Sequence, residues 1–261
     1  MVNLHIKDIK LLYKYIRREL IIIDKIIVKE ENKLQEDMEY KRLTLMYTAA
    51  LKQLETKMEI INNEFKTLHR YNPIEHISTR IKSKESINRK LNKKGLDPTY
   101  ENLVKNINDV AGMRIICSFI PDIYKLVEML ENMPDITVIK KKDYVSEPKE
   151  SGYTAYHLIV SVPVSLSVGI IDVKVEIQIR TMAMDFWASL EHKINYKYDK
   201  QVPKGIKKEL KECAKMTQKL DRRMSHLGKD LMREEEKLLK EITTEYSTVY
   251  SGLMISENIA T

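Results

Sequence analysis

The side chains best suited to chemistry lie in one stretch, residues 170–192, IIDVKVEIQIRTMAMDFWASLEH. Val173, Val175, Ile177 and Ile179 alternate with Asp172, Lys174, Glu176, Gln178 and Arg180, the period-two pattern of a strand with one apolar and one polar face. After Thr181 the period becomes helical, so that Asp185, Ala188 and His192 share a face with Glu191 at its flank. A polar strand face that runs into a polar-faced helix gathers carboxylates, a guanidinium and an imidazole at one corner. A site for a charged ligand is built this way.

Other stretches carry complementary groups. Asp109 stands just before the apolar run 111–120, AGMRIICSFI, in which Arg114 and Ser118 lie opposite Met113, Cys117 and Phe119. If the strands of Asp109 and Glu176 are neighbours, the two carboxylates suit magnesium, which leaves much of its shell to water and substrate phosphates. The polar loop 146–152, SEPKESG, carries Lys149 and leads to Tyr153, whose ring offers a stacking platform for a nucleobase; His157 shares its strand parity. Before these strands, Arg80, Lys82, Arg89 and Lys90 form the most cationic short region. Each feature alone has an ordinary reading, as a solvated charge run, a tyrosine at a loop base, a core histidine or an ion-paired carboxylate. Together they describe a nucleotide site. The sequence contains neither GxxxxGK[ST] nor GxGxxG, which disfavours a P-loop enzyme and a dinucleotide-binding Rossmann domain.

The elements that must position these residues follow from periodicity. Ile6, Ile9, Tyr13, Ile16, Leu20, Ile23 and Ile27 form a narrow helical seam, and Tyr47, Leu51, Leu54, Met58, Ile61, Phe65 and Leu68 form a second one. Both are expected to pack on each other or on the main domain. Ser83 opens a helical run that stops at Gly95. Strands are expected over 111–120, 136–144, 155–162 and from 170 onward, with a helix over 121–133; the last two strands are close enough to form an antiparallel hairpin. Pro203 starts a long helix with a seam at Ile206, Leu210, Cys213, Leu220, Met224, Leu227 and Leu231, interrupted by Gly228. The alternation of strand and helix points to a mixed α+β sheet. The expected division is a helical extension over 1–72, a catalytic domain over 73–200 and a second helical extension over 201–261.

Composition narrows the setting more than the function. The 261 residues carry 45 Lys and Arg against 38 Asp and Glu, a formal charge of +7 spread along the chain. That fits an anionic small molecule and weak nucleic-acid contact equally well. The two cysteines, Cys117 and Cys213, lack CxxC or CxxxH company, so zinc is disfavoured and a reducing cytoplasm is expected. The apolar segment 21–28 is split by Asp24 and Lys25 and falls far short of the roughly 20 residues that a bilayer crossing needs, so no membrane span and no secretory signal are expected.

Five blocks in order carry a family resemblance: RxK at Arg80 and Lys82, SINRK at 86–90, DVAGMR at 109–114, SGYTAYH at 151–157, and VEIQIRT followed by FWASLEH. Over about residues 73–200 they resemble the synthetase domain of RelA/SpoT alarmone synthetases, and the helical flanks resemble the small, single-domain RelQ type. The resemblance implies a nucleotidyltransferase-like sheet of about five strands flanked by helices. It also implies transfer of pyrophosphate from ATP to the 3′-hydroxyl of GDP, GTP or GMP, giving AMP and the (p)ppGpp-type alarmones of the stringent response. By motif position, Arg80, Lys82, Arg89, Lys90, Arg114 and Ser118 would bind ATP, with Arg114 stacking on adenine. Asp109 and Glu176 would hold Mg2+, and Glu176 would accept the proton of the attacking hydroxyl. Lys149, His157, Gln178, Asp185 and Glu191 would position the guanine nucleotide, with Tyr153 stacked on its base. Asp185 is a departure, because relatives usually carry Asn there. A homotetramer is implied too. The family's small members can bind an alarmone between subunits through residues just before RxK; here that segment reads EHIST, with His76 where an aromatic is common, so that regulation is not carried over. Whether RNA or an alarmone regulates the chain stays open. A competing reading is a catalytically weak nucleotide- or RNA-binding regulator on the same fold, motivated by Asp185 and the Lys140–Lys142 cluster. A weaker one is a nucleotidyltransferase that releases pyrophosphate and no AMP.

Overall fold

The computed structural model describes residues 6–68, 71–198 and 201–257. Helix α1 (Ile6–Leu68) is followed by β1 (Ile74–Ile81), α2 (Lys84–Lys93), α3 (Tyr100–Asn106), β2 (Ala111–Cys117), α4 (Ile120–Glu131), β3 (Thr137–Asp143), β4 (Tyr156–Leu166), β5 (Gly169–Thr181), α5 (Met182–Lys197) and α6 (Lys204–Glu257). One sheet holds all five strands in the order β1-β2-β5-β4-β3. Every pairing is antiparallel except that of β2 with β5, so the sheet is mixed and the fold is α+β. The expected hairpin is present as β4 and β5, and it is longer than its apolar alternation suggested: Leu166 pairs with Gly169, and the strand runs through Pro163.

Strand β1 lies inside the segment read above only for its charge. A register shift between Ile74 and His76 breaks its alternation, which removes the period-two signal that reveals a strand. Ser83 then caps α2 as expected, its hydroxyl accepting from the Ser86 amide at 3.3 Å, and Gly95 takes the left-handed φ of 68° after the helix.

The two N-terminal seams belong to a single helix of 63 residues. Its second seam covers the apolar sheet face: Tyr47, Leu51, Leu54, Met58 and Phe65 are buried and Ile61 is half-buried, whereas Leu68 is exposed. Side chains of the first seam, Ile6 to Ile27, lie outside the described residues. Helix α4 adds Ile123, Leu126 and Leu130 to the same core, into which Leu158, Val160, Val175, Ile177 and Ile179 point from β4 and β5.

Helix α6 leaves most of its described apolar seam open. The seam residue Leu210 packs against Trp187, Ala188 and Ala214, but from Ala214 onward the face that docks on the domain is a row of small and polar residues, Ala214, Gln218, Asp221, Ser225 and Gly228. The seam residues Cys213, Leu220, Met224 and Leu227 are exposed. Gly228 has a steric reason: a β-carbon there would stand 2.6 Å from Phe119 Cε2. That clash outweighs the ~1 kcal/mol that glycine costs a helix relative to alanine. The Phe119 ring in turn stacks on Tyr71, and the Ile120 amide donates to Ser225 Oγ at 3.1 Å, tying α4 to α6.

Candidate active site

The polar sheet face is a grid set by strand register. One row reads Ser78, Arg114, Gln178, His157 and Lys142 across all five strands; the next reads Arg80, Gly112, Glu176 and Ile159. Glu176 therefore sits near the middle of the sheet, with cations from β1 and β2 on one side and the β4 histidine on the other. Gly112 leaves a gap in its row, and a cavity of about 250 Å³ opens there, lined by Ser78, Thr79, Arg80, Gly112, Met113, Arg114 and Gln178.

Five side chains, Glu176 among them, close a hydrogen-bond ring. Gln178 Nε2 donates to Glu176 Oε2 at 2.9 Å, and His157 Nδ1 lies 3.3 Å from Oε1. Since an ionised carboxylate only accepts, Nδ1–H is the donor, and His157 Nε2 accepts from the Tyr153 hydroxyl at 2.8 Å. Arg180 completes the ring by donating to Tyr153 Oη at 2.6 Å and to Gln178 Oε1 at 2.9 Å. Every donor thus faces toward Glu176. Burial alone would raise the pKa of this carboxyl, but the hydrogen bonds from His157 and Gln178 outweigh burial and hold it below the usual carboxylate range. Tyr153 moves the other way: its burial raises the phenol pKa more than the Arg180 charge lowers it.

Asp109 lies beside the ring, where β2 begins. Lys82 Nζ donates to its Oδ2 at 2.6 Å, and Lys90 Nζ forms an ion pair with Oδ1 at 2.7 Å without hydrogen-bond alignment. Burial works against ionisation here too, and the two lysines overcome it, so this carboxyl is also held below its ordinary value. Asp109 and Glu176 sense each other's charge. They fit magnesium: both carboxylates are held ionised beside the polar grid, an oxygen donor set that leaves the rest of the shell to water and substrate phosphates.

Asp185 has a definite role in the free protein. Its Oδ1 accepts from Arg180 at 3.1 Å and pairs with Arg114 at 3.2 Å. A carboxylate at this position sets one negative charge between two neighbouring guanidiniums, which an amide could not do. Arg114 Nε and Arg180 Nε are nonetheless buried without a hydrogen-bond acceptor among the described residues. The aromatic wing lies on the far side of His157. Lys149 Nζ stands 4.6 Å from the Tyr144 ring centroid and 4.5 Å from that of Tyr153, and the Arg180 guanidinium is 5.1 Å from the latter.

The structure thus brings together Lys82, Lys90, Asp109, Arg114, Lys149, Tyr153, His157, Glu176, Gln178 and Asp185, with Arg80 exposed at the cavity rim. Arg89 is exposed on α2 beside Lys90. Two expected ligands lie elsewhere: Ser118 is beyond the opposite end of β2 from Gly112, donating to Glu75, and Glu191 accepts from Asn195 in a separate cavity of about 580 Å³ lined also by Trp187, Lys207 and Lys211. His192 is exposed. Two participants had no role assigned from sequence: Arg180, visible only as one residue of the polar face, and Tyr144, whose place against Lys149 depends on the loop's path.

A family model described as a region found in RelA / SpoT proteins matches residues 79–201. The chain is 48% identical over 193 residues to the GTP pyrophosphokinase YwaC of Bacillus subtilis (strain 168), spanning 74% of this chain and 92% of that protein. It is 38% identical over 192 residues to the GTP pyrophosphokinase YjbM of the same strain, spanning 74% and 90%. Among solved structures, small alarmone synthetase 1 from Bacillus subtilis bound to its product pppGpp superposes with a TM-score of 0.70 at 36% identity, covering 74% of this chain and 98% of that one. Small alarmone synthetase 2 from the same organism gives 0.67 at 47% identity, covering 74% and 99%. With sequence shared along nearly the whole of these relatives and the same mixed sheet beneath it, the chain belongs to the RelA/SpoT family.

Proposed function

We propose that this protein is a GTP/GDP pyrophosphokinase that moves the β,γ-pyrophosphoryl group of ATP onto the 3′-hydroxyl of a guanine nucleotide. The observation that carries the reading is the position of Glu176. An ionised carboxylate stands between a cationic wing of Arg80, Lys82, Lys90 and Arg114 and an aromatic wing of Lys149, Tyr153 and His157. Two nucleotides bound one to each wing would meet above it.

In this reading Arg80, Lys82, Lys90 and Arg114 bind ATP, and Arg114 stacks on adenine. Lys149, His157 and Gln178 position the acceptor, and Tyr153 stacks on guanine as Lys149 swings from the ring to the acceptor's phosphates. Glu176 takes the proton from the 3′-hydroxyl, whose oxygen bonds to the β-phosphorus while the bond from that phosphorus to the α-bridging oxygen breaks and AMP leaves. Asp109 and Glu176 would hold Mg2+, which when bound supplies charge neutralisation at the triphosphate. Lys82 and Lys90, released from Asp109, then turn to the phosphates. Little covalent chemistry falls to the protein, and positioning with charge compensation supplies most of the rate. We place the activity in the cytoplasm; among the described residues no helix is long and apolar enough to cross a membrane.

The test is an assay that resolves nucleotide products from ATP with GMP, GDP or GTP. AMP should form only when a guanine nucleotide and magnesium are both present, and folded protein that makes no AMP under those conditions refutes the proposal. The exposed α6 seam at Leu220, Met224 and Leu227 also supports the homotetramer. Light scattering should give an oligomer's mass, and a monomer's mass would count against assembly through this face.

A further inference from the structure

The C-terminal helix touches the acceptor wing at two points one turn apart. Gln218 Nε2 donates to the Gly152 carbonyl at 3.1 Å. Gly152 also lies tightly against α6. It adopts φ 93°, and a β-carbon on it would stand 2.4 Å from Ala214 Cβ. This glycine closes a turn in which its amide donates to the Lys149 carbonyl at 2.8 Å and the Lys149 amide donates to the Tyr153 carbonyl at 3.0 Å. Lys149 and Tyr153 are thereby fixed in one unit, and α6 holds that unit by its backbone. The Tyr153 ring packs against the small cluster of Trp187, Ala188 and Ala214 in which α5 and α6 meet.

The second point is Asp221, three residues along the same face. Its Oδ2 accepts from the Thr181 hydroxyl at 2.7 Å, and that hydroxyl accepts from the Met184 amide at 3.2 Å, capping α5. Thr181 directly follows Arg180, whose guanidinium donates to the Tyr153 phenol. One turn of α6 therefore holds both partners of that bond, the arginine through Asp221 and the tyrosine through Gln218. A helix that only buried surface would use apolar side chains, but α6 presents small and polar ones here.

We propose that Gln218 and Asp221 are positioning residues for the guanine nucleotide, and that α6 acts as a strut setting the distance between the Lys149–Tyr153 turn and Arg180. The proposal rests on the reading that this wing binds the acceptor. Neither side chain touches a nucleotide in it, so both act through the turn and through Thr181.

Gln218→Leu removes the donor to Gly152. With one hydrogen bond lost, amide exchange at Lys149 and Gly152 should quicken about fivefold, and the KM for GDP should rise by about the same factor. The kcat and the KM for ATP should stay within about twofold. Gln218→Lys, whose ammonium reaches the same carbonyl, should restore both readouts. Ala214→Val, which crowds Gly152 from below, should raise the GDP KM without help from Gln218. Unchanged exchange, faster exchange with an unchanged GDP KM, or equal rises in both KM values would each overturn the strut. If the wild-type protein makes no AMP, the functional reading falls. Exchange rates and GDP affinity by calorimetry then decide the strut by the same criteria.

Discussion

Glu176→Gln should reduce AMP formation from ATP and GDP at least ~10³-fold while leaving the fold intact. The substitution keeps the shape and removes the charge. A general base is worth roughly 10²–10⁴ in rate, and here the same group is also one of two carboxylates proposed for the metal. The fold should survive because the neighbours can adapt. A Gln oxygen still accepts from one donor, and its amide can donate to His157 or Gln178 after a tautomer change or an amide flip. The measurement is single-turnover AMP release beside a urea unfolding curve. Activity within about tenfold of wild type would mean that the ring around Glu176 serves structure alone. A collapsed unfolding midpoint would mean that the variant cannot separate the two roles.

Arg180→Leu should have the largest effect on stability of any single change in the site, about 3 kcal/mol. Arg180 is 5% exposed and donates to Asp185, Tyr153 and Gln178. Removing one partner of a buried charge pair typically costs 3–5 kcal/mol, because the other charge is left uncompensated. The low end applies here, since Asp185 keeps Arg114 at 3.2 Å. Urea denaturation should show a lower midpoint with an unchanged slope. Arg180→Lys should recover only part of the loss, because an ammonium cannot reproduce the planar fork that serves three acceptors. A loss below about 1 kcal/mol would show that the ring does not contribute to holding β5, α5 and the Tyr153 loop together.

What could be read from the chain depended on where a local period survives. The β5 alternation placed Glu176, Gln178 and Arg180 on one face, and its short link to β4 brought His157 beside them. Strand β1 escaped because its bulge breaks the alternation and because its Arg80 and Lys82 drew attention as charge. The docking face of α6 escaped for the opposite reason: the periodic apolar residues Leu220, Met224 and Leu227 are exposed, whereas Ala214, Gln218, Asp221, Ser225 and Gly228 face the domain. Small and polar residues that pack through backbone approach and hydrogen bonds leave no hydrophobic signature. Motif position marked Ser118 and Glu191 as ligands, but a motif does not say which way a strand end or a helix flank faces. Asp185 stood out only as a departure until its two arginines were in view.

The single parallel pairing has a consequence for how the enzyme comes into being. Strands β4 and β5 can zip from a tight turn within microseconds, and β1 and β2 are joined by a modest excursion, but β2 can meet β5 only when Ala111 finds Val175 across the intervening chain. Each wing forms within its own half of the sheet, and the two face each other only after that last closure. Arg114 and Asp109 arrive with one half of the sheet, Glu176 and His157 with the other. On dilution from denaturant, hairpin formation should therefore run ahead of nucleotide binding, and a half-built molecule of either kind can bind a stray phosphate but cannot carry out the transfer.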